Sequence, residues 1–260
     1  MDASIIMLTS QGKTYPQLLL FGDSITQWST RTLQASLSEW YIRRLDVLNR
    51  GFSGYTAPLG LDTLQRFFPA IPPSDTHPRV RLMTVFFGAN DSCLPGSPQH
   101  VPIERYKESL RRIIQYEGLK LHGTKVVLIV PPPVDEWQLG DNSRTAANTA
   151  KYASACREVG RELNLPTLDL WLSFMLRAGW RGGHDGALIG SRDAPKNQVL
   201  ADLLSDGLHF TDMAYQLVYE DLVGLIQREV PDEAAEKLPY IFPKWEDLFR
   251  PSLILTGDTA

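Results

Sequence analysis

Three side chains of this sequence have the types that a serine nucleophile and its proton relay require. Ser24 stands in the segment 22–26, Gly-Asp-Ser-Ile-Thr, and far along the chain His209 follows Asp206 by three residues. A serine hydroxyl needs a base within hydrogen-bond reach, and His209 can supply it. Across one tight turn the Asp206 carboxylate can accept the Nδ1–H of the imidazole, which fixes its tautomer and stabilises the imidazolium. These residue types predict acyl transfer through Ser24.

Acyl transfer also needs hydrogen-bond donors for the oxyanion of the tetrahedral intermediate. The candidates are the backbone N–H groups of Ser24 and Gly54 and the side-chain amide of Asn90. Gly54 ends the segment 49–54, and Asn90 lies in the segment 88–91. We therefore predict an oxyanion hole formed by Ser24, Gly54 and Asn90.

Each of these residues also has a simpler interpretation. Ser24 could cap a helix, Gly54 could be a turn glycine, and Asn90 could stabilise an Asx turn. His209 alone is more often a surface or helix-capping histidine than a base. Their joint occurrence, in order and each close to the end of a predicted strand, favours the catalytic interpretation.

The elements that must position these residues alternate between strands and helices. The strand candidates are mostly continuous apolar runs, as expected for strands that are covered on both faces: 18–22, 45–50, 80–87, 125–130 and 166–170. The helix candidates lie between and after them, near 31–44, 58–69, 102–118, 144–163 and 212–229, the last capped by Thr211. This alternation predicts an α/β fold, a three-layer α/β/α sandwich on a parallel sheet.

The flavodoxin-like strand order 2-1-3-4-5 would bring the candidate donors towards Ser24 from both sides, because ligands bind at the carboxyl ends of such strands. We expect one domain over residues 1–260, with a C-terminal extension at about 231–260 packed on it. The Gly-rich and charged segment 177–198 is predicted to be a long loop.

Composition excludes several other classes of protein. With 26 Lys and Arg against 30 Asp and Glu, the net charge is −4, unlike that of a dedicated nucleic-acid binder. The longest apolar runs are far shorter than a membrane span. Residues 1–13 lack a basic start and an apolar core, so we expect no signal peptide and a cytoplasmic location. Cys93 and Cys156 are then expected to be free thiols.

The remaining polar residues near the predicted site are expected to be structural. Cys93 and Cys156 are spaced unlike any zinc motif, so we predict neither a metal nor another cofactor. Asp23 and Asp91 are expected to bond loop backbone, and Ser53 is expected to have no catalytic role. The aromatic residues Trp171, Trp180 and Phe210 either line an apolar pocket or belong to the core, and His184 is expected to be exposed.

With these residues in view, the chain resembles the SGNH (GDSL-type) hydrolase superfamily. The four name-giving residues would be Ser24, Gly54, Asn90 and His209, and Asp206 matches the Asp-x-x-His of the last block. The first block reads Gly-Asp-Ser-Ile instead of Gly-Asp-Ser-Leu, a mild departure at an apolar packing position. Within the superfamily the chain is most similar to the isoamyl acetate-hydrolysing esterase family, on the segments 50–57, 86–95, 131–136 and 240–245.

The resemblance implies a flavodoxin-like sandwich and metal-independent hydrolysis of a small-molecule ester. It implies Ser24 as nucleophile, His209 as base and Asp206 as its orienting carboxylate. The chain departs from the family pattern at 177–198, where an extra loop precedes the catalytic pair. An acyltransferase or deacetylase with the same site, and a catalytically silent binding module, remain alternatives. The oligomeric state, a homodimer included, is left open.

Overall fold

Five strands form one parallel sheet in the part of the chain that the structure, a computed structural model, describes: residues 14–74, 77–182 and 187–248. The strands are β1 Gln17–Gly22, β2 Asp46–Gly51, β3 Val80–Phe86, β4 Lys125–Val130 and β5 Thr167–Asp169. Their spatial order is β2-β1-β3-β4-β5, and each neighbouring pair is parallel. The predicted fold class and strand order are confirmed.

Helices connect the strands and cover both faces of the sheet. The α-helices are α1 Ser24–Gln27, α2 Leu33–Trp40, α3 Ala57–Phe67, α4 Ile103–Ile114, α5 Glu117–His122, α6 Ala146–Glu162, α7 Leu170–Arg177, α8 Gln198–Leu203, α9 Asp212–Glu229 and α10 Trp245–Leu248. Short 3₁₀ turns span Trp28–Arg31, Pro231–Glu233 and Ala235–Lys237. Among the described residues no helix is both long and apolar enough to cross a membrane.

The internal strand β1 is apolar at every position from 18 to 21 because both faces of the sheet are covered there. Leu18 and Leu20 are buried in the core beneath α2 and α9, whereas Leu19 and Phe21 are buried in the core beneath α3, α4 and α6. Successive side chains of a strand point to opposite faces, so a strand covered on both sides must be apolar at every position. Each such side chain contributes about 1.5–3 kcal/mol by leaving water.

The prediction of a single helix over 102–118 was wrong. The helix α4 ends at Ile114, and Tyr116 adopts an extended backbone before α5 begins. The ring of Tyr116 packs edge-on against Phe68, with ring centroids 6.0 Å apart. This tertiary contact accompanies the break, although the apolar periodicity continues across it.

The helices α7 and α8 were not predicted, although each carries a capping signal in the sequence. The Asp169 side chain accepts from the N–H of Leu172 at the start of α7, and the Asn197 side chain accepts from the N–H of Leu200 at the start of α8. Each bond satisfies a backbone donor that the first turn of a helix leaves free. Between these helices the described residues 178–182 and 187–197 form the long loop expected at 177–198.

Residues 231–238 of the C-terminal segment pack beside α2 and α9. Ala234, Ala235 and Leu238 are buried in the core on that side of the sheet. The Glu233 carboxylate accepts two hydrogen bonds from the guanidinium of Arg81, with N···O distances of 2.7 and 3.0 Å. Residues 249–260 of the expected extension lie outside the described residues.

The sheet brings three strand ends together at its carboxyl edge. Gly22, the last residue of β1, pairs with Gly51 of β2 on one side and with Phe86 of β3 on the other. Ser24, Gly54 and Asn90 follow these strand ends by two, three and four residues. The strand order therefore places all three loops at one edge of the sheet.

Candidate active site

A continuous chain of hydrogen bonds joins Ser24, His209 and Asp206. The Ser24 Oγ lies 2.9 Å from the Nε2 of His209, and the Nδ1 of the same ring lies 2.7 Å from the Oδ2 of Asp206. Both distances are those of good hydrogen bonds. With the proton on Nδ1 held by the carboxylate, Nε2 is free to accept the proton of the serine hydroxyl.

The position of Ser24 follows from its place immediately after β1. Asp23 caps α1, because its Oδ1 accepts the N–H of Ile25 at 2.9 Å. Ser24 is the first residue of that helix, and its side chain is nearly buried beside the His209 ring. Among the described residues its own N–H donates to no protein acceptor, which leaves this donor free for an oxyanion.

Asp206 organises the loop that carries the histidine. Its Oδ1 accepts the backbone N–H groups of Leu208 and His209 at 3.0 and 2.8 Å, while its Oδ2 binds the imidazole. Burial raises the pKa of this carboxyl, but the hydrogen bonds from His209 and Leu208 outweigh that effect and hold the pKa below its ordinary value. The carboxylate is therefore ionised at neutral pH and stabilises a positive charge on the ring.

The aromatic ring of Trp28 covers the imidazole, a contact that was not predicted from the sequence. The two ring centroids are 4.2 Å apart with an interplanar angle of 38°. Trp28 caps the end of α1 and donates its backbone N–H to the carbonyl of Ser24. Residues four apart on a helix share a face, so the spacing from Ser24 was the signal that could have identified it.

A hydrogen bond joins the Asn90 side chain to the backbone of Tyr55, the residue that follows Gly54. The Asn90 Nδ2 donates to the carbonyl of Tyr55 at 2.9 Å, and the Gly54 carbonyl accepts from the Nε2 of Gln99 at 2.9 Å. Gly54 has a φ of +79°, a conformation that glycine adopts without strain. Within the described chain the Gly54 N–H and the second amide hydrogen of Asn90 meet no protein acceptor, so both remain available as donors.

Two fully buried carboxyls stand next to these residues and bind loop backbone. The Asp23 Oδ1 accepts the N–H of Ile25, as described above, and the Asp91 Oδ1 accepts the N–H of Ala57 at 2.9 Å. Burial raises the pKa of Asp23 to about 7 and the pKa of Asp91 to about 8, although these backbone hydrogen bonds lower both. The expected structural roles of Asp23 and Asp91 agree with these contacts.

Among the described residues, the others considered from the sequence form no side-chain hydrogen bond to the triad. Ser53 is exposed, and its N–H donates to the side chain of Gln27. Cys93 is buried, with its Sγ 3.8 Å from the Oε1 of Gln99. Trp171 and Phe210 belong to the core, and Trp180 packs partly buried against Trp171. His184 lies outside the described residues.

The segment 187–197 of the long loop packs on the chain after β4. The N–H of Glu136 donates to the carbonyl of Gly190 at 2.7 Å, and the indole of Trp137 donates to the carbonyls of Ser191 and Ala194. The N–H of Asp135 in turn donates to the carbonyl of Gly207, between the two catalytic candidates. The loop is thus connected to the catalytic turn through residues 135–137.

Comparison with known proteins gives the family of this chain. The model of the GDSL-like lipase/acylhydrolase family matches residues 20–217, a range that contains every residue of the candidate site described above. The chain belongs to this family. As a GDSL-like acylhydrolase with esterases among its relatives, it is a carboxylic ester hydrolase.

Two relatives of this GDSL-family chain are esterases of one kind. The isoamyl acetate-hydrolyzing esterase 1 homolog of Bos taurus is 35% identical over 259 residues, which cover 94% of this chain and 93% of that protein. The isoamyl acetate-hydrolyzing esterase of Saccharomyces cerevisiae is 28% identical over 254 residues, with coverage of 90% and 95%. The resemblance inferred from the sequence motifs is confirmed.

Solved structures share the fold of this GDSL-family chain. A lipase/acylhydrolase from Enterococcus faecalis superposes with a TM-score of 0.59 at 22% identity, covering 88% of this chain and all of that one. The acetylxylan esterase Axe2 of Geobacillus stearothermophilus gives a TM-score of 0.58 at 18% identity, with coverage of 84% and 96%. At these identities the likeness shows the common fold alone.

The described residues of this family member contain no group of three or more His, Cys, Asp or Glu side chains that could hold a metal ion. Two polar residues that contact the candidate oxyanion donors were missed in the sequence, Gln99 and Arg144. Neither lies in a recognisable motif, and the only available signal was that both are polar residues in segments that follow the ends of β3 and β4.

Proposed function

We propose that this enzyme hydrolyses small or medium carboxylic esters through an acyl-enzyme on Ser24. The observation that carries the proposal is the unbroken relay from the Ser24 hydroxyl through His209 to Asp206, at 2.9 and 2.7 Å. This arrangement activates a serine without any further group.

In the first half of the reaction, the Nε2 of His209 takes the proton of Ser24 as its Oγ bonds to the ester carbonyl carbon. The carbonyl electron pair moves to oxygen, and the N–H groups of Ser24 and Gly54 with the Asn90 amide stabilise the resulting oxyanion. Collapse of the intermediate breaks the bond to the alcohol oxygen, which leaves with the proton from His209.

In the second half, water replaces the alcohol. His209 takes a proton from the water as its oxygen bonds to the acyl carbon, and collapse of the second oxyanion releases the carboxylic acid. Ser24 recovers its proton from His209, so the enzyme returns to its starting state.

A cavity beside Gly54 supports a substrate of limited size. Its volume is about 220 Å³, and its lining combines the apolar side chains of Pro58, Leu59 and Val101 with polar side chains that include Gln99, His100 and Arg105. Gly54, one of the candidate oxyanion donors, also lines this cavity. Together with the names of the esterase relatives, it supports acetyl and other short acyl esters as the substrate class.

A fluorophosphonate probe that reacts with activated serines tests this proposal. We expect covalent labelling of the native protein and of Ser53→Ala, and none of Ser24→Ala. Steady-state hydrolysis of p-nitrophenyl esters from acetate to decanoate should follow the same pattern and be fastest for the short acyl chains. Labelling that persists in Ser24→Ala, or that is absent from the folded native protein, would contradict the assignment.

An acyltransferase or deacetylase would use the same relay with a different acceptor or substrate. Adding a competing alcohol or amine and measuring products separates these reactions from hydrolysis. We expect free acid as the main product. Preferential formation of a new ester or amide would instead establish transfer.

A further inference from the structure

A buried arginine lies behind the two loops that supply the candidate oxyanion donors. Arg144 stands two residues before α6, at the carboxyl edge of the sheet, and is only 8% exposed. A buried guanidinium is costly unless hydrogen bonds satisfy it, so its partners indicate what the charge is kept there to do.

All three nitrogens of this guanidinium have partners, and most of these belong to the candidate site. The Nε donates to the carbonyl of Ala89 at 2.9 Å, and the Nη2 donates to the Oδ1 of Asn90 at 3.1 Å and to the Oε1 of Gln99 at 3.3 Å. The Nη1 donates to the hydroxyl of Ser143 at 3.0 Å. The planar guanidinium therefore binds both Asn90, in the loop after β3, and Gln99, whose side chain binds the Gly54 carbonyl.

The contact with Asn90 decides which way its amide faces. A guanidinium is a donor only, so the amide oxygen must turn towards Arg144 and the Nδ2 must turn away from it. In that orientation the Nδ2 binds the carbonyl of Tyr55 with one hydrogen and has the other free. A cation on the oxygen also polarises the amide, which makes its N–H a stronger donor.

The contact with Gln99 reaches the second donor. The Oε1 of Gln99 accepts from Arg144, which leaves its Nε2 to donate to the carbonyl of Gly54. This bond restrains a glycine that has a φ of +79° and would otherwise have unusual conformational freedom.

We infer that Arg144 is the positioning residue of the oxyanion hole, acting directly on Asn90 and through Gln99 on Gly54. This inference rests on the proposed function, because it assumes that these groups stabilise an oxyanion. In the described structure Arg144 has no hydrogen bond to Ser24 or His209, so we expect its effect to appear through the donors that it orients.

Kinetics of Arg144→Met and Arg144→Lys provide the first test. Loss of one oxyanion donor costs about 10²–10³-fold in kcat, so we expect Arg144→Met to lose about 10²-fold in kcat with KM changed by less than about threefold. Lysine retains the charge but not the planar fork, so Arg144→Lys should have an intermediate kcat. Thermal unfolding identifies the variants that fold. The control is Arg81→Met, because Arg81 pairs with Glu233 near the amino end of β3, whereas the candidate site lies at the carboxyl ends of the strands.

A double-mutant cycle separates positioning from general structural support. In an Asn90→Ala background the substitution Arg144→Met should lower kcat by a much smaller factor than in the native protein, because its main target is gone. Equal factors in both backgrounds, or native kcat in folded Arg144→Met, would overturn the inference.

The side-chain amide resonances of Asn90 give a readout that does not require turnover. They are assigned in the ¹⁵N spectrum by their absence from Asn90→Ala. We expect their shifts to change in Arg144→Met and Arg144→Lys but not in Arg81→Met. Unchanged shifts in folded Arg144 variants would refute the positioning role, whereas absent fluorophosphonate labelling of the native protein with changed shifts would refute only the proposed function.

Discussion

The indole of Trp28 lies against the imidazole of His209, with ring centroids 4.2 Å apart. About half of the Trp28 surface is exposed, and the indole covers one side of the imidazole. An imidazolium that forms during the reaction would gain a cation–π interaction with this indole. The contact places the Trp28 ring in the site, although in the described structure the indole N–H has no hydrogen bond to the triad.

Replacement of this indole should therefore slow the reaction. A cation–π contact of about 0.5–2 kcal/mol corresponds to roughly 2- to 30-fold, so we expect a loss of that size in kcat for Trp28→Ala and less than about threefold for Trp28→Phe. Hydrolysis of p-nitrophenyl acetate measures both. The control is Trp245→Ala. Trp245 begins α10 shortly after Pro243, whose carbonyl accepts a hydrogen bond from Arg43. Arg43 precedes β2, at the amino ends of the strands, whereas the candidate site lies at their carboxyl ends. Equal rates for Trp28→Ala and Trp28→Phe would contradict the role of the ring.

The carboxylate of Asp206 should be essential for the correct tautomer of His209. In Asp206→Asn the amide NH₂ can face Nδ1, which then acts as acceptor and leaves the proton on Nε2, where it cannot receive the serine proton. We expect a loss of about 10⁴-fold in kcat. The control is Asp202→Asn, whose carboxylate binds the Gln198 amide and does not contact the triad. A loss below about tenfold would show that Asp206 does not orient the ring.

Gly54 offers a test in which backbone strain and catalysis can be separated. Alanine at this φ of +79° is strained by about 1–2 kcal/mol, although its Cβ would lie 3.5 Å from the nearest atom, the Nε2 of Gln99. Gly96 has a φ of +97° and nothing within 4 Å of the position that a Cβ would take, so Gly96→Ala carries a similar strain at a residue that is not a candidate donor. We expect both variants to lose similar stability in urea, and only Gly54→Ala to lose kcat. An equal loss of kcat in both would assign the effect to strain alone.

The buried carboxyls of Asp23 and Asp91 predict how stability changes with pH. Their pKa values of about 7 and 8 in the fold lie above the ordinary value of 3.8, so the native state holds protons that the unfolded state has lost. Stability therefore falls as pH rises from about 4 to about 8, by about 1.4 kcal/mol per pH unit for each proton retained, and levels off above the folded pKa.

Asp91→Asn tests this dependence, because the amide keeps the acceptor for the Ala57 N–H but does not titrate. Urea unfolding from pH 5 to 8 should show a shallower decline in the free energy of unfolding than in the native protein. The comparison uses the slope of the free energy of unfolding against pH and not the free energy itself. The reason is that the new amide nitrogen would take the position of the Asp91 Oδ2, which is buried and has no hydrogen-bond partner in the described structure. An unchanged slope would show that Asp91 does not hold its proton.

The contacts of the triad could be anticipated from the sequence because each depends on a short-range or topological rule. Asp206 and His209 are three residues apart, so one turn suffices to join them. Ser24, Gly54 and Asn90 each follow a strand whose apolar residues make it recognisable, and parallel strands end at a common edge. Helix extent was less predictable, as the break at Tyr116 shows, because a packing contact can override periodicity.

The sequence by itself determined the alternation of strands and helices and the identity of the candidate triad, since local periodicity and residue types encode them. The strand order was expected because it is the common order of flavodoxin-like folds, which the family resemblance also implied. Only the tertiary structure decided that Trp28 covers His209 and that Arg144 holds Asn90 and, through Gln99, Gly54. These contacts join side chains from distant segments, each of which could bind many partners. Which partner is chosen depends on how the packed layers bring the segments together, and no local pattern records that.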